Sequence, residues 1–187
     1  LLFPFKALGL GLDYTDSGPV LGKKLDLKNI NELKPLSEAL EDMQFQKKAL
    51  QLTRANLNKN KGLIGFVGGP WTLFVYAIEG SHIGALTESK KNIYGPLWKK
   101  FSEIITPFLI ENIKLQFEGG ADIVMILDTA AGELSPLDFE NIIEPELLKI
   151  TEVFPQKLGY YSKHTTADHF TSASFKNLKF LGQGFDH

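Results

Sequence analysis

The sequence contains no cysteine. Disulfides and thiolate-held metal sites are therefore excluded within it. Arginine is nearly absent as well, with Arg54 alone beside 19 lysines. Guanidinium forks are the usual partners of ligands bearing several carboxylates, so this scarcity speaks against such a ligand. No apolar run approaches the roughly 20 residues that a membrane helix requires. Residues 1–5 are apolar, but they lack a basic flank and meet Pro4 at once, so they do not read as a targeting signal. A cytoplasmic protein with no membrane partner is expected. An excess of one charge is also missing. The net charge is −2 and the isoelectric point about 6.1, without a basic stripe, so no nucleic-acid partner is expected.

What is present suits a globular core. Apolar residues make up 43% and charged residues 22% of the 187, which excludes disorder as a class. The chain starts inside one apolar stretch and stops just after another. Both ends are expected to be truncations, and residues 1–187 a single partial domain.

Short apolar runs alternate with long amphipathic ones. Residues 1–3 read as the end of a strand. Residues 9–22 hold four glycines and a proline and read as an irregular excursion, with an extended piece at 19–21. Residues 35–42 predict a short helix and 44–57 a longer one. A buried-type strand at 62–67 ends in Gly68-Gly69-Pro70, and a helix over 70–78 stops at Gly80. The longest helical pattern covers 95–118, with a kink expected at Pro107. Strands are expected at 122–127, 158–161 and 178–181. A helix is expected over 136–154 with a break near Pro145, and a weak one over 167–175. This is an α/β pattern of about five strands whose apolar runs belong to a parallel sheet. A doubly wound sheet and an incomplete (β/α)8 barrel both fit. The barrel is favoured because the most unusual residues follow strand ends, and no Gly-x-Gly-x-x-Gly does.

Two segments carry candidate chemistry. In the first, Gly68-Gly69 lets backbone approach a ligand closely or simply makes a tight turn, and Tyr76 lies two turns into the helix as core or as ligand contact. In the second, Asp128-Thr129-Ala130-Ala131-Gly132 follows a strand with small residues that leave space. Asp128 and Thr129 either bond a ligand or belong to a capped turn, while Ser135 before Pro136 starts the next helix. Glu79 and Asp128 are possible paired carboxylates. His164 and His169 stand five apart, the wrong spacing for a metal pair on one helical face. His82 reads as a loop residue, and no metal is expected.

The first segment, Gly65-Phe66-Val67-Gly68-Gly69-Pro70-Trp71-Thr72-Leu73 with Tyr76 and Glu79-Gly80, resembles the signature of the uroporphyrinogen decarboxylase family. The second, from Gly120-Ala121 through Asp128 and Thr129 to Leu134-Ser135-Pro136, resembles that family's next strand end. Pro4, Leu8-Gly9 and Gly18-Pro19, then Lys163 and Gly184-Phe185-Asp186, extend the resemblance along the whole chain. His187 stands where the family has tryptophan, and 160–164 is an unusual fifth-strand end.

The resemblance implies a (β/α)8 TIM barrel, present as an incomplete barrel of about strands 2 to 6. It implies a cofactor-free enzyme, commonly a homodimer, that converts uroporphyrinogen III to coproporphyrinogen III by removing carbon dioxide from four acetate side chains. In that chemistry an aspartate holds the pyrrolic nitrogens of a cationic intermediate, and arginines hold the peripheral carboxylates of the tetrapyrrole. Carried over residue by residue, Tyr76 and Thr129 are substrate-binding hydroxyls, and Phe66 and Leu127 line the pocket. The catalytic aspartate falls two residues upstream of Leu1, so no catalytic residue is assigned within the chain and the fragment is expected to be inactive. Two rivals remain: a corrinoid- or cobalamin-linked methyltransferase of the same superfamily, which uses zinc, and a non-catalytic barrel.

Overall fold

The structure is a computed structural model that describes residues 1–16, 18–81, 84–170 and 173–184. His82, the 185–186 part of the last family match, and His187 lie outside the described residues. The chain opens with a short helix, α1 (Phe3–Ala7), not with the expected strand end. Pro4 sits in its first turn, where a missing N–H costs nothing and a fixed φ favours helix. An antiparallel hairpin follows, β1 (Leu12–Thr15) and β2 (Gly18–Leu21), which contains the extended piece read at 19–21. Helices α2 (Leu36–Glu41) and α3 (Gln44–Asn56) fall where the sequence placed them.

The centre is a four-stranded parallel sheet. Its strands are β3 (Ile64–Gly68), β4 (Ile123–Asp128), β5 (Leu158–Lys163) and β6 (Phe180–Gly184), paired in that order. Among the described residues there are thus four parallel strands, not the five expected. Between them run α4 (Pro70–Glu79), α5 (Thr87–Asn92), α6 (Pro96–Glu118), α7 (Pro136–Asp138), α8 (Glu144–Val153) and α9 (Ala173–Lys176). The short α5 was not foreseen, because its Thr-Glu-Ser-Lys-Lys-Asn sequence has no apolar stripe. Helix α6 runs through Pro107 without interruption. The break expected near Pro145 is a π-helical turn at Phe139–Ile143, immediately ahead of it. Proline cannot donate to the carbonyl four residues back, and a widened turn absorbs the mismatch.

Sheet order separates the two architectures left open. A doubly wound sheet reverses its strand order and covers both faces; a barrel adds strands in sequence and puts its helices on one face. Here neighbours are consecutive. Val67, Val124, Ile126, Leu158 and Tyr160 are buried on one face, whereas Ile64 and Phe66 on the other are 61% and 51% exposed. The arrangement is that of part of a (β/α) barrel, with the face that a closed barrel turns inward left open.

The covered face is held by aromatic packing. Helix α4 has eight of its ten residues buried. Phe74 lies 5.1 Å from Trp98, 5.3 Å from Phe101 and 5.8 Å from Trp71, ring centroid to centroid. Replacing Phe74 by alanine removes the ring shared by these contacts and leaves a cavity. A stability loss of about 3–5 kcal/mol is expected. Urea unfolding followed by the fluorescence of Trp71 and Trp98 measures it, and a loss below about 1 kcal/mol would contradict this account of the core.

Candidate active site

The C-terminal ends of β3 and β4 are laced together by the two segments singled out in the sequence. Gly69 N–H donates to the Leu127 carbonyl at 2.9 Å, extending the parallel ladder by one bond. Pro70 then starts α4. The first turn of a helix leaves N–H groups without partners, and Gly69 at the cap position has no side chain to receive them. Asp128 does so from the neighbouring strand. Its Oδ1 accepts the Thr72 N–H at 2.7 Å, and the Trp71 N–H and the Thr72 side chain also reach the carboxylate. The Tyr160 hydroxyl donates to Oδ2 at 3.2 Å.

Two further bonds close the junction. Ala130 N–H donates to Thr72 Oγ1 at 3.0 Å, and Trp71 Nε1–H to the Ala130 carbonyl at 3.0 Å. Gly69 is required for this approach, since a Cβ there would run into Asp128 Cβ and Cγ. The close backbone approach predicted at Gly68-Gly69 is therefore made to Asp128, not to a ligand. Asp128 itself is fully buried on the helix side of the sheet, as a cap for α4.

Burial raises the pKa of Asp128, and the donors from Thr72, Tyr160 and Trp71 offset part of that rise. Tyr160 is pushed well up, first by its own burial and then by the Asp128 charge. Glu79 is not paired with Asp128. Its Oε1 accepts the Ser89 N–H at 2.9 Å and the Ser89 hydroxyl at 3.2 Å, fixing α5 to the end of α4. Ser135 caps α7 as expected, accepting the Asp138 N–H at 3.1 Å.

The four predicted contact residues fall in two places. Phe66 and Leu127 lie on the open face of adjacent strands, in the register Phe66↔Met125 and Gly68↔Leu127. Phe66 is anchored by Gln116, whose side chain accepts its N–H at 2.8 Å and donates to its carbonyl at 3.0 Å. That amide clamp was missed, because Gln116 sits inside the apolar run of α6 and carries no motif. Thr129 follows the end of β4 and is partly exposed. Tyr76 lies on α4, the helix docked on that same strand end, and is half-buried at the edge of the core. Burial raises its pKa.

Neither the lone arginine nor His169 serves the strand ends. Arg54 bonds the Gly120 and Lys61 carbonyls and pairs with Asp122 at 2.5 Å, at the N-terminal start of β4. The Leu63 N–H, and then Arg54, hold the Asp122 carboxyl below the usual range. His169 is buried; Nδ1 accepts the Thr166 N–H at 3.1 Å, so Nε2 carries the proton and donates to the Leu134 carbonyl at 3.1 Å. Among the described residues no three His, Cys, Asp or Glu side chains are grouped as a metal site needs. None of their helices is long and apolar enough to cross a membrane.

Consecutive parallel strands with helices on one face define the class as a (β/α)-barrel protein. The family model for uroporphyrinogen decarboxylase (URO-D) matches residues 1–187, and the chain belongs to that family. It is 31% identical over 164 residues to the uroporphyrinogen decarboxylase of Prochlorococcus marinus, covering 83% of this chain and 45% of that protein. To the uroporphyrinogen decarboxylase of a Synechococcus species it is 33% identical over 147 residues, 75% of this chain and 41% of that protein. The chain thus spans a little under half the length of these relatives. Among solved structures, a methyltransferase from Methanosarcina mazei superposes with a TM-score of 0.72 at 18% identity, over 87% of this chain and 49% of that one. That likeness is one of fold.

The buried junction yields a prediction with a sign. The pKa of Asp128 is higher in the fold than its ordinary value of 3.8, so the fold holds this proton more tightly than the unfolded chain. Its contribution to stability is fullest below the ordinary value and falls as pH rises through it toward the raised value. Asp128→Asn should flatten that fall. Asp128→Ala should instead orphan the Thr72 and Trp71 amides and the Tyr160 hydroxyl, at about 2–4 kcal/mol. Urea unfolding at a series of pH values tests both, and equal losses for the two variants would contradict the capping role.

Proposed function

We propose that residues 1–187 form one partial barrel domain supplying the middle portion of a uroporphyrinogen decarboxylase, which removes carbon dioxide from the four acetate side chains of uroporphyrinogen III to give coproporphyrinogen III. The observation that carries this reading is the lacing of the two family segments at one rim. The hydroxyls of Tyr76 and Thr129 belong to elements tied to each other through Asp128, Thr72 and Ala130. Phe66 and Leu127 offer apolar surface beside them for the macrocycle.

In this reading the tetrapyrrole lies against the open face with its ring on apolar side chains. Tyr76 and Thr129 bond its polar groups and fix its orientation. Protonation of a pyrrole carbon makes a cation; cleavage of the acetate C–C bond leaves its electron pair behind to neutralise that cation as carbon dioxide departs, and the methylene so formed gains a proton while the ring carbon loses one, giving the methyl group. An aspartate supplied by the remaining family segments stabilises that cation electrostatically. No cofactor is involved, and the assembly is a homodimer. Because the relatives are about twice as long, catalysis is assigned to the chain together with those segments, and the 187 residues alone are expected to be inactive.

The test is conversion of uroporphyrinogen III by a polypeptide of family length carrying these residues, with oxidised products separated by carboxylate number. Failure to form any product with fewer carboxylates than the substrate would sink the reading. In that enzyme Tyr76→Phe should raise the Michaelis constant about tenfold or more, the equivalent of one bond to a charged group, while leaving the unfolding midpoint in place. An unchanged Michaelis constant would remove Tyr76 from the site.

A further inference from the structure

The only arginine is committed to Asp122 at the far end of the sheet, so a cation for an acidic ligand at the rim must be a lysine. Lys163 is the last residue of β5. It follows Ser162, the register partner of Asp128, and so stands level with Thr129. Burial alternates along β5 so that Tyr161 and Lys163 share the open face while Tyr160 and Ser162 turn to the helices. Every other side chain that β3, β4, β5 and β6 turn to this face is uncharged. Among the described residues Lys163 has no ion-pair partner.

Its backbone is gripped from two sides. The turn after β4 presses Gly132 so close to the Lys163 carbonyl and to His164 that no side chain fits there. On the other side His164 N–H donates to the Gly184 carbonyl at 3.3 Å, with His164 at φ 57°. A non-glycine residue takes that left-handed conformation only where its surroundings hold it.

The floor beside Lys163 is low and apolar. Met125 lies over Gly159 on the next strand, occupying the place of its missing side chain. Tyr161 in the same way lies across Gly182 and Gly184, and a Cβ on Gly184 would also stand 3.2 Å from Lys163 Cγ. Large side chains laid over glycines make a low apolar surface, which suits the face of a ring system more than a branched chain. We propose that Lys163 is the anionic-group anchor of this face, binding a carboxylate of an aromatic or macrocyclic acid whose ring lies over Met125, Leu127 and Tyr161. The inference rests on the tetrapyrrole reading for its ligand class but on the lysine and the floor for its chemistry.

The test uses the 187-residue chain and two probes: uroporphyrin, and anilinonaphthalene sulfonate as a small aromatic acid. Lys163→Met keeps the apolar stem and removes the charge. It should weaken uroporphyrin binding about tenfold or more and flatten its salt dependence, whereas Lys163→Arg and the distant exposed Lys99→Met should stay within about twofold of the parent. Should Lys163→Met fail to fold, acylation of lysines in the parent chain, read by peptide mass spectrometry, replaces it, and uroporphyrin must then protect Lys163. Unchanged affinity in the methionine variant, or no protection, overturns the inference while leaving tetrapyrrole binding intact. If uroporphyrin does not bind but the sulfonate does so through Lys163, the inference stands for small aromatic acids, and the tetrapyrrole reading is decided by the turnover experiment on the family-length polypeptide. If neither probe depends on Lys163, the inference is wrong.

Discussion

A carboxylate buried away from water is tolerable only where protein donors replace its hydration, and a helix start is a place where donors are left over. Asp128 and α4 solve both problems at once. Pro70 lacks an N–H, Gly69 has no capping side chain, and the next amides along, those of Trp71 and Thr72, meet the carboxylate. The positive end of the helix dipole favours the same placement. Because Asp128 belongs to β4 and α4 follows β3, this cap fixes the relation of two strand ends. The turn that carries Thr129 and the helix that carries Tyr76 inherit their positions from it. Either end can be disturbed only by breaking bonds among buried groups.

The same constraint explains the residue types in the signature. Gly69 is small because Asp128 needs its space, and Thr72 is a hydroxyl residue because Ala130 N–H needs an acceptor. Trp71 is a tryptophan with a use for its N–H, which ends on the Ala130 carbonyl, while its ring fills the aromatic cluster under α4. Several positions that look like ligand contacts are therefore scaffolding. The surface left for a ligand is what this scaffolding presents, namely the open face and the turn after β4.

Much of the fold was legible because local signals and burial agreed. Gly68-Gly69-Pro70 marks the β3–α4 break, Gly80 closes α4, and the apolar runs place all four parallel strands. The misreadings have definite causes. Residues 1–3 are apolar enough for a strand, but Pro4 recruits them to a helix start. Thr87–Asn92 has no apolar stripe because the helix is held at its start by Glu79 accepting from Ser89, a contact ten residues apart in sequence. The site was harder. Spacing identified Asp128 as important and left its direction open, and direction is set by the period-two alternation of β4. Five residues after Val124, Thr129 sits past the strand's last paired position, where alternation no longer decides. Gln116 and Tyr160 bear no motif and act through partners 50 and 32 residues away, which only the folded chain brings together.

The scarcity of arginine takes on a different meaning once positions are known. A polycarboxylate ligand bound through guanidinium forks would need arginines at the rim, and the single one present braces the opposite end of β4. The chain spans a little under half the length of its relatives, so its arginine count by itself does not exclude an acidic ligand for a longer protein. What the chain contributes at the rim is a low apolar floor with one ammonium group beside Thr129. A point charge on a flexible stem selects for charge with little demand on geometry, whereas a fork selects for a carboxylate in one orientation. An acidic ligand that can lie on this floor in more than one orientation is better served by the less exacting partner.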